Sequence, residues 1–142
     1  MGLLDFARGI GHKLFSNEDE APVKITQHIE DNNPGISELQ VSVEDGIATL
    51  SGSADSAAAR EKAILMAGNT HGIASVVDNI AAPEETSAVT YYIVEEGDSL
   101  WKIAEKTLGN GTKYELIFEE NKEVIRNPDL IFAGQKLRIT QI

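Results

Sequence analysis

Apolar residues first recur at helical spacing, as Leu3, Phe6, Ala7, Ile10 and Leu14, which predicts a short amphipathic helix over residues 1–15. Gly9 and Gly11 weaken it, each by roughly 1 kcal/mol relative to Ala. Arg8, His12 and Lys13 make one side positive, so the helix can dock on the domain that follows or touch lipid. Docking is the simpler expectation for so short and glycine-broken a segment. The polar run Ser16-Asn17-Glu18-Asp19-Glu20 reads as a solvated linker.

From residue 22 to 82 the pattern predicts α-β-β-α-β. Pro22 suits a first helical position, and Val23, Ile25 and Ile29 carry a helix that ends near Asn32-Asn33-Pro34-Gly35. Leu39, Val41 and Val43 then alternate with Gln40, Ser42 and Glu44. Asp45-Gly46 is a two-residue turn signal that requires positive φ at both positions. Pairing across it sets Val43 opposite Ala48, Val41 opposite Leu50 and Leu39 opposite Gly52. Asp55 or Ser56 can cap the next helix, which turns Ala59, Ala63, Met66 and Ala67 inward and leaves Arg60, Glu61 and Lys62 largely outside. After Gly68-Asn69-Thr70-His71-Gly72, residues 73–80 form a third strand, apolar at both parities and so without an evident inward face.

Residues 83–88 read as a second linker, and 89–142 predict β-α-α-β. A strand over 91–94 meets a turn at Gly97, where Asp98 or Ser99 can cap a helix burying Leu100, Ile103, Ala104 and Leu108. A second helix, from about residue 112 to 122, buries Tyr114, Ile117 and Phe118. Asn127-Pro128 breaks the chain, Gly134-Gln135 turns it, and Leu137 and Ile139 alternate in a closing strand. The fold class is α+β, in two small domains.

Composition narrows the functions. With 142 residues, 42% hydrophobic and 25% charged, the chain has a globular profile, and each predicted domain is near the lower size limit for an independent core. A net charge of −11 is the wrong sign for a nucleic-acid surface and disfavours anionic membranes. There is no Cys, which excludes disulfides and thiolate metal sites and fits a reducing compartment. No apolar run approaches the roughly 20 residues of a membrane span. Residues 1–15 lack the features of an export signal, and Phe6 stands where a myristoylation motif wants Ser or Thr. A cytoplasmic monomer is the expectation.

No constellation suggests an enzyme. His12, His28 and His71 lie far apart, no G-x-S-x-G elbow is present, and Gly109-Asn110-Gly111 leads to Tyr114 where a dinucleotide loop needs Gly. Glu95-Glu96 and Glu119-Glu120 read as solvated faces.

The segment Tyr91-Tyr92-Ile93-Val94-Glu95-Glu96-Gly97-Asp98-Ser99-Leu100-Trp101-Lys102-Ile103-Ala104, with Asn127-Pro128-Asp129-Leu130-Ile131-Phe132-Ala133-Gly134-Gln135-Lys136-Leu137-Arg138-Ile139, closely resembles a LysM module. That resemblance implies a shallow groove for N-acetylglucosamine polymers, lined here by Gly97, Asp98, Ser99, Leu100, Asn127, Pro128, Leu130 and Ile131. Each of these residues also has a structural reading as turn, cap or core. The preceding α-β-β-α-β order, with the closing strand Gly72-Ile73-Ala74-Ser75-Val76-Val77-Asp78-Asn79-Ile80, resembles a BON domain. BON domains are non-enzymatic modules associated with osmotic shock.

Taken from Met1-Gly2-Leu3 onward, the chain resembles small cytoplasmic BON–LysM proteins that bind potassium and are linked to potassium or osmotic stress. The short acidic linker after Phe15 departs from that family. The resemblance implies K⁺ as ligand, a sensor or buffer role, and rearrangement of the two domains on binding. K⁺ is large and weakly charged, so a ring of carbonyl oxygens suits it better than clustered carboxylates. Helix C-termini expose such carbonyls. The candidate donors are therefore the main chain of Gly68, Thr70, Gly72 and Ile73, joined by Ala7 and Ile10 beside the N-terminal glycines. The alternative is that Gly68 and Gly72 only stop a helix and start a strand.

Overall fold

The computed structural model describes residues 6, 14–83, 89–125 and 131–140. The predicted N-terminal helix falls outside them except for Phe6, Leu14 and Phe15, and the predicted linker except for Pro83. In chain order come α1 (Ala21–Asp31), β1 (Ile36–Glu44), β2 (Ile47–Ala54), α2 (Ala57–Gly68) and β3 (Ser75–Ala81). They are followed by β4 (Val89–Ile93), α3 (Leu100–Leu108), α4 (Tyr114–Glu120) and β5 (Lys136–Thr140). One sheet has the order β1-β2-β3, antiparallel then parallel, and β4 pairs with β5 antiparallel in a second. The α+β architecture in two small units is as expected.

Each sheet has its own core. Ile25 and Ile29 of α1 pack with Ala48, Leu50, Val76 and the apolar residues of α2, and Phe6, Leu14 and Phe15 lean on this cluster. Val23 departs from the expected face: it is 70% exposed, while Ala21, Ile25, His28 and Ile29 turn inward. In β3 the inward parity is Val76 and Ile80, with Val77 outside. The second core joins Leu100, Ile103 and Ala104 of α3 to Ile117, Leu137 and Ile139. Between the helices, Gly109 takes the left-handed conformation that ends α3 (φ 75°), and a 3-10 turn over Gly111–Lys113 leads into α4.

The β1–β2 hairpin turns at Asp45 and Gly46 with φ of 51° and 75°, and pairs Val43 with Ala48 and Val41 with Leu50. The expected pairing of Leu39 with Gly52 is not made. The register shifts between Ser37 and Gln40, with Glu38 at φ 55°, so β1 carries one extra residue. The physical reason is phase. Ile36 has the wrong parity to share a face with Val41 and Val43, and the bulge returns it to the core opposite Ala54. Gly52 faces the bulge at φ 143°, where a Cβ would lie 2.8 Å from the Ser37 carbonyl oxygen.

The acidic run before α1 is more than a solvated linker. Residues 18–20 form a 3-10 turn closed by a capping box between Asn17 and Glu20. The Glu18 carboxylate accepts from the amides of Asp45 and Gly46, each at 2.9 Å, and so straps the hairpin turn. Sequence spacing gives no hint of a contact spanning this many residues.

Gly52→Ala is expected to destabilise the protein by about 2 kcal/mol or more, since it adds both backbone strain and a main-chain clash. Urea unfolding checks this; a loss within about 0.5 kcal/mol of wild type would remove the bulge from the account.

Candidate functional site

The C-terminal end of α2 is where the N-terminal segment, the first hairpin and the second unit meet. Ser56 caps the other end of this helix by accepting from Ala59 N at 3.0 Å. Most of α2 is buried, from Ala57 and Ala59 through Ala63 to Gly68. A helix apolar on so many sides must be covered on more than one face. The first sheet covers one and the β4–β5 unit another.

At the helix end the backbone is closely tied. Asn69 N–H donates to Leu65 O at 2.9 Å, Thr70 N–H to Ala67 O at 3.3 Å, and the Thr70 hydroxyl to Met66 O at 3.0 Å. Thr70 is fully buried, and its own carbonyl accepts from Ile73 N at 3.1 Å. Ala74 donates to Gly46 O at 2.7 Å and accepts from Phe6 N at 2.9 Å. The loop 68–74 is thus held by the hairpin turn on one side and the N-terminal segment on another.

Both glycines have steric reasons to be here. A Cβ on Gly68 would lie 2.1 Å from the Phe6 ring. Gly72 sits at φ 103°, where a Cβ would lie 3.2 Å from the Phe15 ring. Gly68 closes α2 and Gly72 precedes β3, each where a larger residue would meet an aromatic ring. The structure brings Gly68, Thr70, Gly72 and Ile73 into one loop; Ala7 and Ile10 lie outside the described residues, although Phe6 beside them packs on Gly68.

Asn69 is the residue that sequence reasoning passed over. It is 4% exposed, and its side chain grips the main chain of β5: Nδ2 donates to Lys136 O and Oδ1 accepts from Lys136 N, both at 2.9 Å. Asn121 does the same for Arg138, at 2.8 and 2.9 Å. No spacing rule marks either residue.

Beside this clamp lies a buried ionic network. Glu61, expected outside α2's inward face, has its side chain only 4% exposed. Its Oε1 meets Arg138 Nε at 3.3 Å and accepts the Tyr91 hydroxyl. Burial first, then the hydrogen bond to and charge of Glu61, push the Tyr91 phenol well above its usual range. Arg138 Nη1 also pairs with Glu120 Oε1 at 2.6 Å, and Glu120 accepts from Thr140 N at 3.1 Å. The reading of Glu119-Glu120 as a solvated face is thus corrected for Glu120, which neutralises a buried guanidinium; Glu119 pairs with Lys122 at the surface. Lys62–Glu123 at 3.0 Å and the buried Val124, packed into the first core, complete the seam.

The proposed glycan groove is placed in part. Asn127, Pro128 and Leu130 lie outside the described residues. Gly97 and Ser99 are exposed, and Gly97 turns at φ 86° with open space where a Cβ would be. Leu100 is 3% exposed and belongs to the core, and Ile131 packs partly against it. Ser99 caps α3, accepting from Lys102 N at 3.3 Å. Asp98 accepts instead from the Tyr92 hydroxyl at 2.6 Å and Glu95 N at 2.9 Å, and pairs with Lys106 at 3.1 Å. Burial opposes its ionisation, but Tyr92, the Glu95 amide and Lys106 outweigh burial and hold the carboxyl below the usual range.

The BON domain family matches residues 17–83 and the LysM domain family residues 92–140. Over 99% of both chains, the sequence is 34% identical to the potassium binding protein Kbp of Escherichia coli O6:H1 strain CFT073. A stretch of 56 residues is 50% identical to an uncharacterised protein of Deinococcus radiodurans, covering 39% of this chain and 21% of that one. Over 51 residues it is 45% identical to the SpoIVD-associated factor A of Bacillus subtilis, covering 34% of this chain and 11% of that protein.

Arg138→Met leaves Glu61 buried and Glu120 part-buried without their cation and is expected to cost about 3–5 kcal/mol. Adding Glu61→Leu should recover a substantial part, as a denaturant double-mutant cycle would read; additive losses would deny the coupling. For Asp98 the folded carboxyl ionises at lower pH than the unfolded one. Its stabilisation is therefore full above the ordinary carboxylate range and lost as pH falls through the folded value. Asp98→Asn should lower stability at neutral pH and flatten the acid limb of the stability profile, whereas an unchanged acid slope would count against the Tyr92–Asp98–Lys106 linkage.

Proposed function

Because the chain belongs to the family of the potassium binding protein Kbp, with a BON domain followed by a LysM domain, we propose that it binds K⁺ at the C-terminal end of α2. The observation that carries this reading is the seating of residues 68–73. They close a helix whose terminus carries partial negative charge, and they are enclosed by Phe6, Phe15 and the hairpin turn. Main-chain oxygens of Gly68, Thr70, Gly72 and Ile73, with Ala7 and Ile10 from the N-terminal segment, would supply the neutral oxygen shell that K⁺ prefers. Among the described residues no group of three or more His, Asp or Glu side chains is placed to hold a metal ion.

The same loop offers a route from ion to domain arrangement. Asn69 lies between the proposed donors Gly68 and Thr70 and is hydrogen-bonded to β5 of the LysM domain. An ion that reorganised carbonyls on either side of Asn69 would bias that clamp, and with it the seam of Glu61, Arg138 and Glu120. The protein then acts as a sensor or buffer in potassium or osmotic stress, working as a cytoplasmic monomer without enzymatic activity. A second reading rests on the LysM match and on the exposed rim at Gly97 and Ser99: a module of the cell envelope that binds N-acetylglucosamine polymer.

Calorimetric titration of the full chain with KCl, NaCl and CaCl₂ is expected to give a K⁺-selective response accompanied by compaction in small-angle scattering. Asn69→Ala should retain the heat of K⁺ binding but lose most of the compaction. Absence of heat with every ion, together with co-sedimentation with peptidoglycan, would displace this function in favour of the glycan reading.

A further inference from the structure

Lys136 is fully buried, which is rare for a residue type that normally keeps its ammonium in water. Its main chain is the part of β5 that Asn69 grips. Its ammonium lies 4.3 Å from the centroid of the Phe6 ring, within cation–π range. The same ring also covers Gly68, so tightly that a Cβ there would fall 2.1 Å from it. The ammonium and the last turn of α2 thus both contact the Phe6 ring. That last turn carries no basic residue of its own, although a helix C-terminus is where a cation is best placed.

We propose that Lys136 is a tethered cation: a charge lent by the LysM domain to the C-terminal end of α2, which opposes K⁺ there and raises the potassium concentration at which the site fills. The proposal rests on the reading that K⁺ binds at residues 68–73. The sign follows from electrostatics alone. A fixed positive charge near the helix end satisfies part of the potential that would otherwise attract the ion, and the two cations repel. At an effective dielectric of about 20, two unit charges on the order of 10 Å apart repel enough to change an affinity by roughly one order of magnitude. The same charge stabilises the ion-free arrangement, because it rewards contact between β5 and α2 before any ion arrives. Lys136 would thus set a threshold without being a ligand.

The test uses the full chain with Lys136→Met, which keeps much of the stem and removes the charge, and Lys136→Arg, which keeps the charge. Lys136→Gln serves as a second neutral replacement should the Met variant not fold. KCl is titrated calorimetrically at constant ionic strength held with choline chloride, and melting is followed with and without K⁺. The neutral variants are expected to bind K⁺ about tenfold more tightly, to melt lower in its absence, and to gain more on its addition; Lys136→Arg should stay near wild type. Equal affinity in wild type and neutral variants overturns the proposal, as does equal tightening by Met and Arg, which would assign the effect to packing. Failure of the wild-type chain to bind K⁺ instead overturns the potassium reading itself, and is seen without any variant.

Discussion

Among the described residues strand β5 has one strand beside it, and the main-chain groups it turns away from β4 must find partners elsewhere. A buried backbone donor or acceptor left unmade costs about 1–3 kcal/mol, comparable to a sizeable share of a small domain's stability. Two asparagines meet that demand. Asn121 comes from β5's own domain and holds Arg138, while Asn69 crosses from the end of α2 and holds Lys136. One exposed edge is thereby converted into an interdomain clamp. Much else follows from where Asn69 sits: with β5 held at the end of α2, Glu61 meets Arg138 and Tyr91, Lys62 meets Glu123, and Val124 enters the neighbouring core.

The seam this creates joins specific polar pairing to the apolar contacts of α2 and Val124. Buried ion pairs such as Glu61–Arg138–Glu120 are weak evidence for stability, since desolvation offsets much of their attraction. They are better at selecting one arrangement over others, because a shifted register would leave each charge unpaired. An interface of that kind suits a molecule whose domains change relation when a ligand arrives.

Under the potassium reading, the clamp and the ion loop are one piece of chain. Gly68 and Thr70 flank Asn69, so carbonyls offered to an ion and the amide side chain offered to β5 cannot move independently. The LysM domain then serves as the counter-surface of an ion-responsive BON domain. Its own described rim is partly committed to other work, with Leu100 in the core and Asp98 bound to Tyr92 and Lys106.

How much of this was legible in advance depended on the range over which the physics acts. The hairpin turn at Asp45-Gly46, the Ser56 and Ser99 caps, the helix faces at Ala59–Ala63 and Leu100–Ala104, and the α+β order in two domains are local or periodic. Spacing and residue type report such features directly. The phase slip that puts Ile36 in the core also has a local cause, but it needs the sheet's face to be known before a bulge can be inferred. Glu18 at the hairpin turn, Glu61 at Arg138 and Asn69 at Lys136 are partnerships between residues far apart in sequence, and each uses a side chain that would be equally at home in water. The sequence by itself determined the two domains and the glycine-marked end of α2 at Gly68. Only the tertiary structure decided which polar residues are buried between them, because pairing across that distance depends on the packed arrangement and leaves no period in the chain.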